Sequence, residues 1–189
     1  MCAQFLIKAR LRDLNERFGL KLKLNSTKDL DQSWDERVLP YKKAPVIVDK
    51  GRGPEVRLMN FSLIPSWSKE SRVKFATHNA RLETIDEKPT WKGPFQNHRC
   101  LVPLTDFIEP IYTGEYAGNM VSFHTHEHKL LAAAGVWSEW VDKKSGEVLE
   151  SFAIITGDPN AFVKKLGHDR QPVFLSPKAF EEWLATKKE

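Results

Sequence analysis

Cysteine is scarce in this chain: its 189 residues hold two, Cys2 and Cys100. Two thiols so far apart, without a CxxC pair, exclude a disulfide-stapled miniprotein and a zinc ribbon, so each is judged alone. Long apolar runs are missing as well. Nothing approaches the roughly 20 residues that span a bilayer, and Lys8, Arg10 and Arg12 stand where a secretory leader would carry its apolar core. The cytoplasm is therefore the expected compartment, with no membrane partner. Internal repeats, low-complexity tracts and linkers are also lacking, which leaves one domain over residues 1–189 as the expected organisation. What the chain does have is 41% hydrophobic and 29% charged residues, enough of both for a globule with a real core. Its 29 basic and 25 acidic residues give a net charge of +4. Such an excess permits a polyanionic partner without demanding one.

The patterning reads as α+β. Leu11, Leu14 and Phe18 fall at helical spacing before Gly19, and Ser26 or Thr27 can cap a second helix running towards Arg37. Short apolar or alternating runs follow at 46–48, 56–61, 99–104, 120–123, 130–136 and 152–156, separated by turn residues. Pro89, Gly93 and Pro94 make 87–97 a loop or broken helix. Asp158-Pro159 opens a short helix that ends at Gly167, and Ser176-Pro177 opens a last one with Phe180, Trp183 and Leu184 on its inner face. Strands outnumber helices and no regular helical crossovers separate them, so a mainly antiparallel α+β fold is expected rather than a doubly wound one.

Several residues can carry chemistry. A small second residue lets Met1 be trimmed, which leaves Cys2 with a free α-amine next to its thiol. The amine, with a reference pKa of roughly 7.7 to 8.0, is partly unprotonated near neutrality. An aldehyde attacked by that amine gives an imine on which the neighbouring sulfur can close a five-membered thiazolidine. The alternative is an incidental early cysteine. In Thr77-His78-Asn79-Ala80-Arg81-Leu82-Glu83-Thr84, read as an ordered loop, Arg81 can grip a phosphate and Asn79 can hold a substrate oxygen; the blander reading is an Arg81–Glu83 surface pair. Glu109 closes an apolar strand read as starting at Cys100, where burial would raise its pKa and suit it to proton transfer. His168 follows a short helix, a place for acid–base work or for a helix-end contact. His124, His126 and His128 would share one face of a strand, but no further ligand pattern completes a set, and no metal or other cofactor is expected. Trp67 can be a stacking platform for an unpaired base, whereas Trp34, Trp91, Trp137, Trp140 and Trp183 read as core anchors.

In this order the pieces resemble the SOS-response-associated peptidase (SRAP) family, whose members process abasic sites in DNA. The resemblance runs from Met1-Cys2 through Tyr41-Lys42-Lys43-Ala44-Pro45, Pro65-Ser66-Trp67, Asn79-Ala80-Arg81-Leu82-Glu83-Thr84 and Phe107-Ile108-Glu109 to the stretch from His168 to Pro177. It implies a curved, barrel-like sheet with flanking helices. It also implies that Cys2, once Met1 is removed, captures the ring-opened sugar aldehyde of an abasic site as a thiazolidine, protecting the site during replication and the SOS response. By resemblance Asn79, Glu109 and His168 complete the catalytic group, with Asn79 placing the amine or ring oxygen, Glu109 shuttling protons and His168 assisting sugar ring opening or release. Arg81 matches a phosphate-binding arginine and Trp67 a nucleotide-contacting tryptophan. The implied partner is single-stranded or junction DNA, and the chain is expected to be a monomer.

The chain also departs from the family pattern. Ala3-Gln4 replace Gly-Arg after the cysteine, Lys42 replaces an asparagine and restores positive charge nearby, and Phe61-Ser62 replace a Trp-Gly pair, with consequences expected for base stacking or strand curvature. Pro110 replaces the tryptophan after the glutamate, and Gln171 stands where methionine or arginine is usual. Two other functions stay open: a thiol peptidase acting on its own N-terminus through Cys2, and a non-catalytic single-strand-binding module.

Overall fold

The computed structural model describes residues 4–19, 23–24 and 34–185. Its first strand, β1 (Gln4–Leu6), precedes α1 (Leu11–Phe18). Leu11, Leu14 and Phe18 line the buried face of α1, and the helix stops at Gly19, whose φ of 57° lets its N–H turn back to the Asn15 carbonyl. The second helix expected from Ser26 or Thr27 falls largely outside the described residues. At its far end Arg37–Val38 forms strand β3, after β2 (Lys23–Leu24).

Five long strands build the centre: β4 (Lys43–Asp49), β5 (Pro54–Phe61), β7 (Arg99–Leu104), β10 (Leu131–Val141) and β11 (Val148–Gly157). They pair in the order β11-β10-β7-β4-β5 with antiparallel neighbours. A parallel contact of Ser151 and Phe152 in β11 with Asn60 and Phe61 in β5 then closes the ring. The fold is thus the expected mainly antiparallel α+β barrel, made mixed by its closing pair. Closure places alternate residues in two different cores. Val46, Val48, Phe61, Cys100, Val102, Phe152 and Ile154 point inward, while Ile47 and Leu101 face α1 and the C-terminal helix, and Ala153 and Ile155 face a third cluster. Burial on both faces is why these strands read as continuous apolar runs. Phe5 of β1 plugs the barrel, edge-on to Phe61 with ring centroids 5.1 Å apart.

A second, antiparallel sheet runs β3-β1-β8-β9, with β8 at Asp106–Pro110 and β9 at Met120–Phe123. The apolar run from Cys100 to Pro110 is therefore two strands in two sheets, broken at Thr105, rather than one.

Of the two readings of 87–97, loop or broken helix, the structure takes the helical one: α2 (Pro89–Asn97). Pro89 starts it, and Pro94 and Gly93 sit inside it at a local cost that buried Trp91 offsets by docking on the third cluster. Helix α3 (Ala161–Lys165) is capped by Asn160, whose side chain accepts from the Val163 N–H at 2.9 Å, and not by Asp158. Strand β12 (Gln171–Pro172) and helix α4 (Phe180–Leu184) complete the described chain.

Candidate active site

Two segments far apart in sequence meet at Glu109 and His168, and a third, which carries Asn79, is tied to the His168 segment by a salt bridge. The first is β8, held between β1 and β9, with Glu109 opposite Val121. Glu109 has no exposed surface. Removing a carboxylate from water disfavours its charged form, and this burial raises Glu109 from an ordinary 4.5 to about 7.

The second segment carries His168, whose side chain is also fully buried. Its Nδ1–H donates to the Pro110 carbonyl at 2.8 Å, which fixes the tautomer and turns Nε2 towards Glu109, 3.4 Å from Oε2. Burial lowers the imidazole pKa. The two shifts act together: burial disfavours both the Glu109 carboxylate and the His168 imidazolium. His168 is reached through Gly167, whose φ is 92° and whose added Cβ would lie 2.1 Å from the Thr113 oxygen. The Tyr112 N–H donates to the Gly167 carbonyl, and the Tyr112 ring stacks on the imidazole with centroids 5.2 Å apart at 28°.

The third segment is the stretch read as a loop at Thr77–Thr84. It folds instead as strand β6 (Asn79–Arg81) followed by a 3-10 turn over Leu82–Thr84. Strand β6 runs parallel to β11, so Thr156 is flanked by Arg81 on one side and Pro172 on the other. Asn79 is buried at the start of that strand and Arg81 is exposed at its end. The anticipated Arg81–Glu83 pair gives way to another. Arg170 grips both Glu83 oxygens at 2.9 Å and also donates to the Thr156 carbonyl at 2.7 Å. The guanidinium holds the Glu83 carboxyl below its usual range, and the bridge ties the Asn79 strand to the His168 segment.

The remaining sequence candidates lie around these segments. Cys2 is outside the described residues. Trp67 is 58% exposed, on a loop whose ends meet where the Leu63 N–H bonds the Thr77 carbonyl, two residues before Asn79. The same loop presents Phe75, Lys69, Lys74 and Arg72, and Arg72 sits over the Tyr41 ring at 4.3 Å. Lys42 is exposed beside Tyr41 and lies 3.8 Å from Asp35, so its charge is partly answered within the chain. Phe61 is wholly in the core and has no face for a base. The histidines at 124, 126 and 128 follow the end of β9 instead of riding on it, and among the described residues no three ligating side chains gather to hold a metal. The other thiol, Cys100, is buried in the barrel, and that burial pushes it far above its ordinary range.

Sequence reasoning missed the roles of Arg170, Tyr112 and the basic loop around Phe75. The first two are set by contacts across 87 and 56 residues of chain, which leave no local signal. The third was legible as Lys69, Arg72 and Lys74 between the aromatic Trp67 and Phe75, just upstream of Asn79.

The sequence profile of the family described as SOS response associated peptidase (SRAP) matches residues 1–189. The chain belongs to the SRAP family. One relative is the abasic site processing protein YoaM of Bacillus subtilis, 29% identical over 99% of this chain and 80% of its own length. Another is the abasic site processing protein HMCES of Rattus norvegicus, 32% identical over 67% of this chain, which covers 44% of that longer protein. A crystal structure of a protein from Bacteroides thetaiotaomicron superposes on this SRAP chain with a TM-score of 0.82 and 27% identity, over the whole chain and 83% of its partner.

Proposed function

We propose that this SRAP chain processes abasic sites in DNA by capturing them covalently through Cys2. The observation that carries the reading is the buried Glu109–His168 pair, with Glu109 on a strand whose neighbour β1 begins two residues after Cys2. Gln4 pairs with Ile108, one residue from Glu109, and Cys2 stands two residues before Gln4 in the sequence. The relatives' names as abasic site processing proteins support the substrate.

The chemistry needs proton transfers in both directions. With Met1 removed, the Cys2 amine adds to C1 of the ring-opened sugar to give a carbinolamine. Glu109, raised to about 7 by burial and so carrying its proton in about half of the molecules at pH 7, donates it to the departing hydroxyl, which leaves as water, and takes the nitrogen's proton in return to leave the imine. The Cys2 sulfur then bonds to the same carbon, its proton passes to nitrogen, and the thiazolidine is complete with one water lost overall. His168, with Nε2 facing Glu109, relays the proton that must leave the anomeric hydroxyl for the ring oxygen when the closed sugar opens. Asn79 orients the amine or the sugar oxygen from β6. Arg81 and Lys42 meet phosphates, while Trp67 and Phe75 offer faces to unpaired bases; a single strand suits this arrangement because its abasic sugar is reached without opening a duplex.

A fluorescent single-stranded oligonucleotide with one abasic site, incubated with the protein, is expected to give a slow-migrating band on a denaturing gel. Cys2→Ala, or an N-terminal tag that blocks the amine, is expected to abolish it. A band that persists in both would overturn the nucleophile.

A further inference from the structure

We infer that Tyr112 is the positioning residue of His168, holding the imidazole by ring stacking so that Nε2 stays on the Glu109 carboxyl. The argument begins with exposure. Tyr112 is 56% exposed, yet the His168 side chain it stacks on has no exposed surface. Both border a cleft of about 680 Å³ that is also lined by Thr113, Asp158, Lys164 and Asp169. The phenol ring is thus a cover between the imidazole and the cleft.

The backbone fixes where that cover sits. The Tyr112 N–H bonds the Gly167 carbonyl at 3.2 Å, and Nδ1–H of His168 bonds the Pro110 carbonyl at 2.8 Å. The two strands of chain approach so closely at Gly167 that no side chain fits there. Tyr112 and His168 are therefore brought face to face by three contacts, none of which involves the phenol.

The hydroxyl is not what matters. No hydrogen bond from it reaches a described residue, and burial, together with the nearby Glu109 and Asp169 carboxylates, raises its pKa, so it stays a neutral phenol at physiological pH. Ring area and stacking do the positioning, and any flat aromatic of the same size should serve.

With the ring removed, water from the cleft reaches the imidazole and competes with the Pro110 carbonyl for Nδ1–H. The ring then samples both tautomers and several orientations. A misdirected acid–base group slows chemistry while leaving substrate binding intact.

Two readouts test this. The first needs no DNA: ¹⁵N shifts of the His168 ring nitrogens in selectively labelled protein. Wild type and Tyr112→Phe are expected to show the single Nδ1–H tautomer, and Tyr112→Ala an averaged signal. The second rests on the proposed abasic-site capture: cross-linking rate at saturating abasic oligonucleotide, expected to fall at least tenfold in Tyr112→Ala and less than twofold in Tyr112→Phe, with affinity for the undamaged strand unchanged. A Tyr112→Ala protein that keeps the wild-type ring-nitrogen spectrum overturns the inference, as does a Tyr112→Phe protein as impaired as Tyr112→Ala. Failure of the wild type to cross-link at all would sink the capture reading instead, and the nitrogen spectra would still decide the role of Tyr112.

Discussion

A carboxyl with no exposed surface is costly to ionise, and Glu109 shows what that cost does to stability. Raised from 4.5 to about 7, it binds its proton more tightly folded than unfolded, so stability drains away as pH climbs through that window and the loss, about 3 kcal/mol, persists above it. His168 works in the opposite sense: its lowered pKa makes charging the folded imidazole costly, so it removes stability as pH falls below 6.5. Glu109→Gln is accordingly expected to be more stable than wild type in chemical denaturation at pH 8, with the gap closing near pH 4, while cross-linking is lost. A Gln variant less stable at pH 8 would mean that the carboxylate is held as a stabilised anion. Ser62 makes a second case. Its φ of 114° is in the region that L side chains avoid, and its buried hydroxyl finds no hydrogen-bond partner among the described residues. Ser62→Gly is expected to stabilise the chain by about 1 kcal/mol, measured by denaturant midpoint, because relief of strain and of the orphan hydroxyl exceeds the added entropy of glycine. The strain explains in physical terms why a serine where the family carries glycine stood out in the sequence.

At the scale of elements, the turn from α3 into the His168 segment shows how local sequence and distant packing divide the work. Asn160 caps α3 through the Val163 N–H, and Asn160→Ala is expected to cost about 1 kcal/mol in thermal or denaturant unfolding. Gly167 is constrained twice, by its φ and by the Thr113 carbonyl. Gly167→Ala should therefore cost more than the cap, about 2 kcal/mol or more, and should slow cross-linking by shifting His168. Equal losses in the two variants would remove the tertiary part of that argument. The glycine was readable as a helix stop, but its role as the point of closest approach to Thr113 was not. The same division explains α2: Pro94 and Gly93 left a loop and a broken helix both open, and the buried Trp91 decided for the helix. It also explains β6, whose pairing with β11 spans some 75 residues and has no signature in its own three.

For the whole molecule, the net charge of +4 permits DNA without specifying where it lies. The tertiary structure places an exposed Trp67, Phe75 and a basic loop next to the Asn79 strand. Binding of undamaged single strands is expected to weaken with salt, and Arg81→Ala to flatten the log–log salt slope by about 0.7, one phosphate contact. Trp67→Ala is expected to weaken binding by about 1–3 kcal/mol with the slope unchanged, as stacking carries no counterions. Fluorescence anisotropy across a salt series checks both, and a slope altered by Trp67→Ala would deny it a stacking role. By itself the sequence determined the α+β class, the positions of the five barrel strands and β9, and the identity of Cys2, Asn79, Glu109 and His168 as chemically suited groups, since alternation, turn residues and functional-group chemistry are local properties. Only the tertiary structure decided that the barrel closes through a parallel pair, that Arg170 serves Glu83, and that Glu109 and His168 face each other in a buried space with Tyr112 stacked on the imidazole. Desolvation and contact depend on which distant segments fill the space around a side chain, and no stretch of sequence holds that information alone.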